Sequence, residues 1–365
     1  MTGIGRYLSE LVHGLPSSDA ENQYVLFTYR ELPGFSGANM RNVPTVGRPP
    51  KGRFQKLFSP WWMNVILPRF IKEEKIDVFF SPNNLLPVRS RARANIVAIM
   101  DVFPFIDPSF HSPLYRAYAA PFLRRSAGKA DHILTVSECS KRDIVKFFGV
   151  PEGKVSVTYL SADKRFTPRE IAGEERKRFI DKYRLPGRFI LYVGVIEKRK
   201  NIEGIIRIAD LLNKPSDPPI VLVGRPGYGG KEYIGEIRKR SNMKYCDFAE
   251  EGDLPYFYNI ASAFIFPSWY EGFGLPPLEA MQSGLPVVAS NHSSLPEVIG
   301  DAGVLLEPGN YGGFAENIRM LMGDKEKWEA LRAAGIARAA RFDAKKTARE
   351  TVQVFKDCLQ RLKDI

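Results

Sequence analysis

The sequence predicts an α/β protein built from two doubly wound parallel-sheet domains. Two observations carry this. Short runs of Val, Ile, Leu and Phe alternate with amphipathic stretches throughout, which is the rhythm of repeated β-α-β units. The runs are continuously apolar rather than alternating, as strands buried on both faces are. The length of 365 residues and hydrophobic content of 44% suit two domains of ordinary size.

In the first half, strands are expected at Gln23–Tyr29, Ile76–Ser81, Asn95–Met100, Asp131–Val136 and Lys154–Thr158. Helices are expected at Gly5–Leu15, Pro60–Glu73, Pro113–Gly128 and Glu138–Phe148. Ser161–Gly187 is polar, charged and carries Pro168 and Pro186, so the linker is placed there. The second half reads as strands at Phe189–Gly194, Ile220–Gly224, Ala263–Pro267 and Pro286–Ser290, with helices at Asn201–Leu212 (Asn201 as N-cap) and Lys231–Arg240. The expected domains are 1–165 and 166–343, followed by a terminal helix within 344–365. A glycine turn, Thr2-Gly3-Ile4-Gly5, opens the first helix with one residue ahead of it. In doubly wound sheets such a turn follows a strand, so a first strand is expected upstream of Met1.

The formal charge of +12 is uneven: 1–165 holds 23 basic and 14 acidic residues, a net of +9, and the rest 30 and 27, a net of +3. Basic clusters stand at Arg48/Lys51/Arg53/Lys56, Arg89/Arg91/Arg93 and Arg124/Arg125/Lys129. Such a half suits a phosphorylated substrate or an anionic membrane, or is simply a solvated surface. No nucleic-acid motif accompanies it, so nucleic acid is not an expected partner. Three scattered cysteines without metal spacing point to a reducing compartment, and no apolar run spans a bilayer. The expected location is therefore cytoplasmic, with peripheral association at the inner face of the membrane as an addition. Trp61, Trp62 and Val65 beside the first cluster either touch that surface or pack a helix.

The chemistry centres on Ser268–Gly284. Gly272 and Gly274 let backbone approach a ligand, Pro277 suits the first turn of a short helix at Leu278–Ser283, and Gly284 suits its end. A helix N-terminus there offers N–H groups to phosphate. Glu271 and Glu279 are then placed to bind neutral hydroxyls, of a sugar and a ribose respectively; the alternative is a loop charge and a buried structural carboxylate. Arg199 and Lys200, at the carboxyl end of the strand Phe189–Gly194, are placed to neutralise a diphosphate. Gly3 and Gly5, with Arg6, offer a weaker phosphate contact. His13, His132 and His292 read as structural, and His111 as a loop histidine. No Asp-x-Asp triplet occurs, so no metal site is expected.

On these motifs the chain resembles the retaining glycosyltransferases of family 4, the "glycosyl transferases group 1" superfamily. The resemblance runs through TGIGRY, residues 131–145, YVGVIEKRKN at 192–201, residues 266–290 and SLPEVIGDAG at 294–303. The EKRKN form is similar to the branch rich in bacterial polysaccharide and O-antigen mannosyltransferases. The resemblance implies a GT-B fold, two Rossmann-like domains facing a cleft, with the C-terminal helix returning to the first. It implies transfer of a hexose, mannose first, from GDP-mannose or a UDP-hexose to a glycan or polyprenyl-pyrophosphate-linked acceptor, with retention and without metal or other cofactor. Arg199 and Lys200 would hold the diphosphate, Glu271 the hexose, the Phe273-Gly274-Leu275 backbone the hexose and phosphate, and Glu279 the ribose.

Three positions depart from the family pattern. The His-Asp pair after the strand Asn95–Met100 is Met100-Asp101, leaving Asp101 as its catalytic member. Val195 replaces a basic residue, and a glycine before the base-binding loop is replaced near Asp247. The alternative to an active transferase is an impaired relative that binds a sugar nucleotide or glycan as a partner subunit.

Overall fold

The computed structural model describes residues 3–29, 38–46, 55–250 and 252–363. Thr2 of the opening turn, and Arg48, Lys51 and Arg53 of the first basic cluster, lie outside the described residues. The chain forms two compact units. The first comprises Met1–Val102, Ala117–Leu160 and Ala344–Ile365; the second comprises Phe103–Arg116 and Ser161–Asp343. The partition differs from the 1–165 and 166–343 halves read from the sequence in giving Phe103–Arg116 and residues 161–165 to the second unit.

In the first unit, α1 (Gly3–Ser18) leads to β1 (Tyr24–Thr28) and β2 (Met40–Pro44), a parallel pair. Helices α2 (Gln55–Trp61) and α3 (Leu67–Glu73) follow, joined by a π-helical turn at Trp62–Ile66. The sequence reads this stretch as one regular helix. Pro68 cannot donate to the helix ladder, and the Leu67 N–H instead reaches back five residues to the Trp62 carbonyl. Strands β3 (Val78–Ser81) and β4 (Ala94–Ala98) come next, then α4 (Phe103–Ile106), which belongs to the second unit, and α5 (Pro113–Lys129). Strand β5 (His132–Thr135), α6 (Glu138–Phe148) and β6 (Val155–Val157) complete a four-stranded parallel sheet ordered β3-β4-β5-β6.

Helix α1 buries Tyr7, Leu11, Val12 and Leu15, a stripe at helical spacing. In the second unit α7 (Gly173–Tyr183) precedes β7 (Ile190–Val193), and α8 (Ile202–Leu211), β8 (Ile220–Val223), α9 (Gly230–Arg238) and β9 (Met243–Cys246) follow. The unit continues with α10 (Leu254–Ile260), β10 (Ala263–Phe266), α11 (Leu275–Gln282), β11 (Val287–Ser290), α12 (Leu295–Ile299), β12 (Val304–Leu306), α13 (Tyr311–Gly323) and α14 (Lys325–Ala339). The last helix, α15 (Ala344–Lys363), packs on α1 and buries Ala348, Thr351, Val352 and Cys358.

The second sheet is wholly parallel, in the order β12-β11-β10-β7-β8-β9. Numbered within the unit this is 6-5-4-1-2-3, the doubly wound order whose direction reverses between its first and fourth strands. That reversal lies between β7 and β10, which pair Ile190 with Ala263 and Leu191 with Phe264. Strands β8, β10 and β11 are buried throughout, as their apolar runs require.

Several sequence expectations are corrected. The linker region carries α7, because Phe179 is buried and stacks near Tyr256 and Phe257 while the glutamates and lysines face out. Strands β2, β9 and β12 escape the sequence pattern because each is short, and the first two are interrupted by polar residues. Helix α11 starts at Leu275, three residues earlier than expected, with Pro276 and Pro277 both in its first turn.

Candidate active site of the second unit

Two loops leave the sheet on either side of the reversal, and the candidate residues sit on them. The first follows β7. Its position is fixed by the neighbouring loop after β8: Ile196 N–H donates to the Arg225 carbonyl at 2.9 Å, and Gly227 N–H to the Ile196 carbonyl at 2.9 Å. The two backbones approach so closely that a Cβ on Gly224 would lie 1.9 Å from the Gly194 carbonyl oxygen. Asn201 ends this loop in the left-handed region at φ 57°. Its side-chain oxygen caps α8 by accepting from Gly204 N–H at 3.1 Å, and its amide donates to the Pro267 and Pro308 carbonyls at 3.0 and 2.9 Å.

The second loop follows β10 and enters α11. Gly274 caps that helix at φ 111°, a conformation that side chains avoid, and a Cβ there would meet Leu295 Cδ2 at 2.7 Å. Ser293 and Ser294, just after β11, hold the loop from the side. Glu271 N–H donates to Ser293 Oγ at 2.8 Å, while Ser294 Oγ donates to the Glu271 and Phe273 carbonyls at 3.0 and 2.7 Å. Pro276 and Pro277 supply no N–H, so the phosphate donors expected of the helix N-terminus narrow to the amides of Gly274 and Leu275.

The loops bring Arg199, Lys200 and Glu271 into one cluster. Lys200 Nζ donates to both Glu271 carboxylate oxygens, at 2.6 and 2.7 Å. Arg199 Nη1 reaches the Tyr270 carbonyl at 2.7 Å and Glu271 Oε2 at 3.3 Å, and Nη2 reaches Glu197 Oε1 at 2.8 Å. Lys200 and Glu271 are buried, 7% and 6% exposed. Burial by itself would raise the Glu271 carboxyl, but the Lys200 and Arg199 cations outweigh it and hold it below the usual carboxylate range. Burial lowers the Lys200 ammonium, with Glu271 opposing. The cluster of two cations and two carboxylates is thus charge-balanced, as a buried constellation must be.

Glu279 lies apart from this cluster, inside α11 and 1% exposed. Tyr258 OH donates to its Oε2 at 2.9 Å, so one oxygen is already engaged by the protein. Asp101, Gly3 and Gly5 belong to the first unit. Asp101 follows β4, where Met100 N–H donates to Asn84 Oδ1 at 3.2 Å and Ser140 Oγ donates to the Met100 carbonyl at 3.0 Å. Gly3 and Gly5 lie within the first turns of α1 rather than in a turn ahead of it.

Sequence reading missed Glu197, Ser293, Ser294 and Phe103, and took His111 for a loop histidine. Glu197 stands inside the EKRKN run and was legible as a carboxylate among cations. The others meet the cluster only through the fold. Of the membrane-facing candidates, Trp62 donates to Thr45 Oγ1 at 2.6 Å and packs edge-on against Tyr29, whereas Trp61 and Val65 are each 44% exposed. Among the described residues no helix is long and apolar enough to cross a membrane.

Comparison with known proteins adds to this geometry. The family model described as Glycosyltransferase Family 4 matches residues 1–165, and that described as Glycosyl transferases group 1 matches residues 174–338. O-antigen chain mannosyltransferase B of Escherichia coli is 31% identical over 372 residues, covering 98% of this chain and 96% of that protein. Serotype-specific mannosyltransferase WbdA of the same organism is 31% identical over 266 residues, but the chain spans only about a third of its length (32%). The structure of WaaG, a glycosyltransferase involved in lipopolysaccharide biosynthesis, aligns with a TM-score of 0.73 at 16% identity, covering 97% of this chain and 96% of that one. Anabaena Alr3699/HepE in complex with UDP and glucose aligns with a TM-score of 0.71 at 17% identity, covering 97% and 96%. The shared fold bears out the GT-B class of two Rossmann-like domains.

Proposed function

Because this chain belongs to glycosyltransferase family 4 and is a glycosyltransferase, we propose that it transfers a hexose, mannose first, from a nucleoside-diphosphate sugar to a glycan acceptor in bacterial polysaccharide assembly. The observation that carries the reading is the Lys200–Glu271 pair at the reversal between β7 and β10, where doubly wound sheets hold their ligands. An incoming diphosphate takes donors from Arg199 and Lys200, and the Gly274 and Leu275 amides add to them. Glu271, relieved of part of its ion pair, accepts from hexose hydroxyls. Glu279 meets the ribose.

In the proposed reaction the bond between the anomeric carbon and the phosphate oxygen breaks, and the diphosphate leaves with the electron pair. The acceptor oxygen bonds to the same face, so configuration is retained, and its proton passes to the departing phosphate. Arg199 and Lys200 supply the positive charge that the leaving group needs, which supports a reaction without a divalent cation. The acceptor is proposed to be lipid-linked, from the basic 1–165 half, and Asp101, Gly3 and Gly5 keep the roles that resemblance gives them as proposals. Cytoplasmic action at an anionic membrane is likewise proposed, from exposed Trp61 and Val65; sedimentation with phosphatidylglycerol vesicles tests it, and no binding at low salt overturns it.

The function is tested by incubating the protein with GDP-mannose, UDP-glucose and UDP-GlcNAc plus a glycan acceptor, with and without EDTA. Release of nucleoside diphosphate and an α-linked product are expected, and Glu271→Ala abolishes both. If no donor is consumed and Glu271→Ala changes nothing, the reading fails. Met100 in the place of the family histidine favours a second reading, a donor-binding subunit. Calorimetric donor binding without turnover would select it.

A further inference from the structure

The segment Phe103–Arg116 follows a strand of the first unit yet packs within the second. Its 3₁₀ turn at Pro108–Phe110, capped by Asp107 accepting from Ser109 N–H at 2.7 Å, lies against the turn Lys198–Lys200. Three rings pack together in it at a tilt: His111 lies 4.3 Å from Phe103 and 4.5 Å from Tyr115, centroid to centroid, with each pair inclined at 40°. The Phe103 ring also sits 4.7 Å from the Arg199 guanidinium, a cation–π contact. Arg199 is therefore fixed on one side by an aromatic face and on others by Tyr270, Glu197 and Glu271.

His111 is not accounted for by this packing. Its Nε2 is buried, and among the described residues nothing donates to it or accepts from it. Folded proteins leave few buried polar atoms unpaired, because such an atom forfeits water without a replacement. The charged groups facing the ring are Glu197 and Arg199. Burial holds the imidazole below its ordinary value, so the ring is neutral and has one N–H to donate.

We propose that His111 is a donor-binding residue, its Nε2–H donating to a diphosphate oxygen of the sugar nucleotide, and that Phe103 is a positioning residue that holds Arg199 for the same group. This rests on the reading of Arg199 as a diphosphate ligand.

Calorimetry on the full chain with GDP and UDP, against GMP and UMP, tests it. His111→Ala and Phe103→Leu each weaken diphosphate binding about tenfold, while monophosphate binding changes less than about twofold. His111→Gln, which keeps a donor, recovers part of the loss. In the unmodified protein, NMR of the four histidines shows the His111 ring titrating at higher pH with saturating GDP or UDP, because an anion favours its charged form. Equal losses for mono- and diphosphates, or an unmoved His111 titration, overturn the proposal. Arg199→Ala separates the two levels. If it leaves diphosphate binding intact, the underlying reading fails; if it weakens binding while His111→Ala and Phe103→Leu do not, only this inference fails.

Discussion

Lys200 and Glu271, 71 positions apart, form a doubly bonded ion pair: Nζ stands 2.6 Å from one carboxylate oxygen and 2.7 Å from the other. Both groups are buried, so neither is indifferent to the loss of its partner. Lys200→Met alone leaves the Glu271 carboxylate with the longer Arg199 contact in place of the doubly bonded ammonium and costs about 3 kcal/mol; Glu271→Gln alone strands the Lys200 ammonium at similar cost. The double variant regains most of that stability in urea unfolding but transfers no sugar. Full activity in the double variant would show that the pair only holds the loops together.

Glu279 is read as a ribose ligand with Tyr258 on its Oε2. Glu279→Gln then weakens GDP or UDP binding about tenfold and erases the preference over the 2′,3′-dideoxy analogues, as calorimetry measures. Tyr258→Phe leaves that preference in place and lowers stability by about 1 kcal/mol, because one carboxylate oxygen loses its donor.

Gly224 is the contact point of two loops. In Gly224→Ala the new methyl collides with the Gly194 carbonyl and pushes the segment that carries Arg199 and Lys200 out of place. A stability loss of about 1–3 kcal/mol is expected, with kcat/KM for the donor falling at least about tenfold. Gly187→Ala, where a Cβ meets nothing within 4 Å, serves as the neutral control.

His132 on β5 is 1% exposed, and its Nε2 lies 2.8 Å from Ser156 Oγ. Burial, with Arg361 nearby, lowers it from 6.5 to about 4. The unfolded chain therefore binds a proton that the folded one refuses between those values. The stabilisation is complete above pH 6.5 and is lost as pH falls towards 4. Allowing for solvent screening it amounts to about 2 kcal/mol. Urea midpoints of the parent against His132→Gln across this range should converge as pH falls.

Much of the second unit was legible because its central strands are apolar runs that mean the same thing in any context. Asn201 was readable as an N-cap, and the Gly274 turn as the entry to a short helix, since local chemistry dictates both. The Lys200–Glu271 pair was not, because it depends on which strands the sheet sets side by side. Nor were Phe103 and His111: a chain that leaves one unit and re-enters it carries no local signal of doing so. Glu279 shows the opposite limit, since the carboxylate was noticed but its Tyr258 partner arrives from another helix. Strands β2, β9 and β12 were too short or too polar to register as periods.

The partition of the chain also bears on modularity. It passes between the units four times, after Val102, Arg116, Leu160 and Asp343. Neither unit is thus a segment that one cut can release. A fragment ending near residue 165 would lack α15, exposing the α1 stripe of Tyr7, Leu11, Val12 and Leu15, and would carry Phe103–Arg116 away from Arg199. On the proposed reading of the second unit as the donor-binding one, its exchange between relatives must transplant 161–343 while keeping 344–363 of the recipient, and must match 103–116 to the incoming loop. Donor preference in such chimaeras is then expected to follow two separate stretches of sequence, and recombination at a single site is expected to break it.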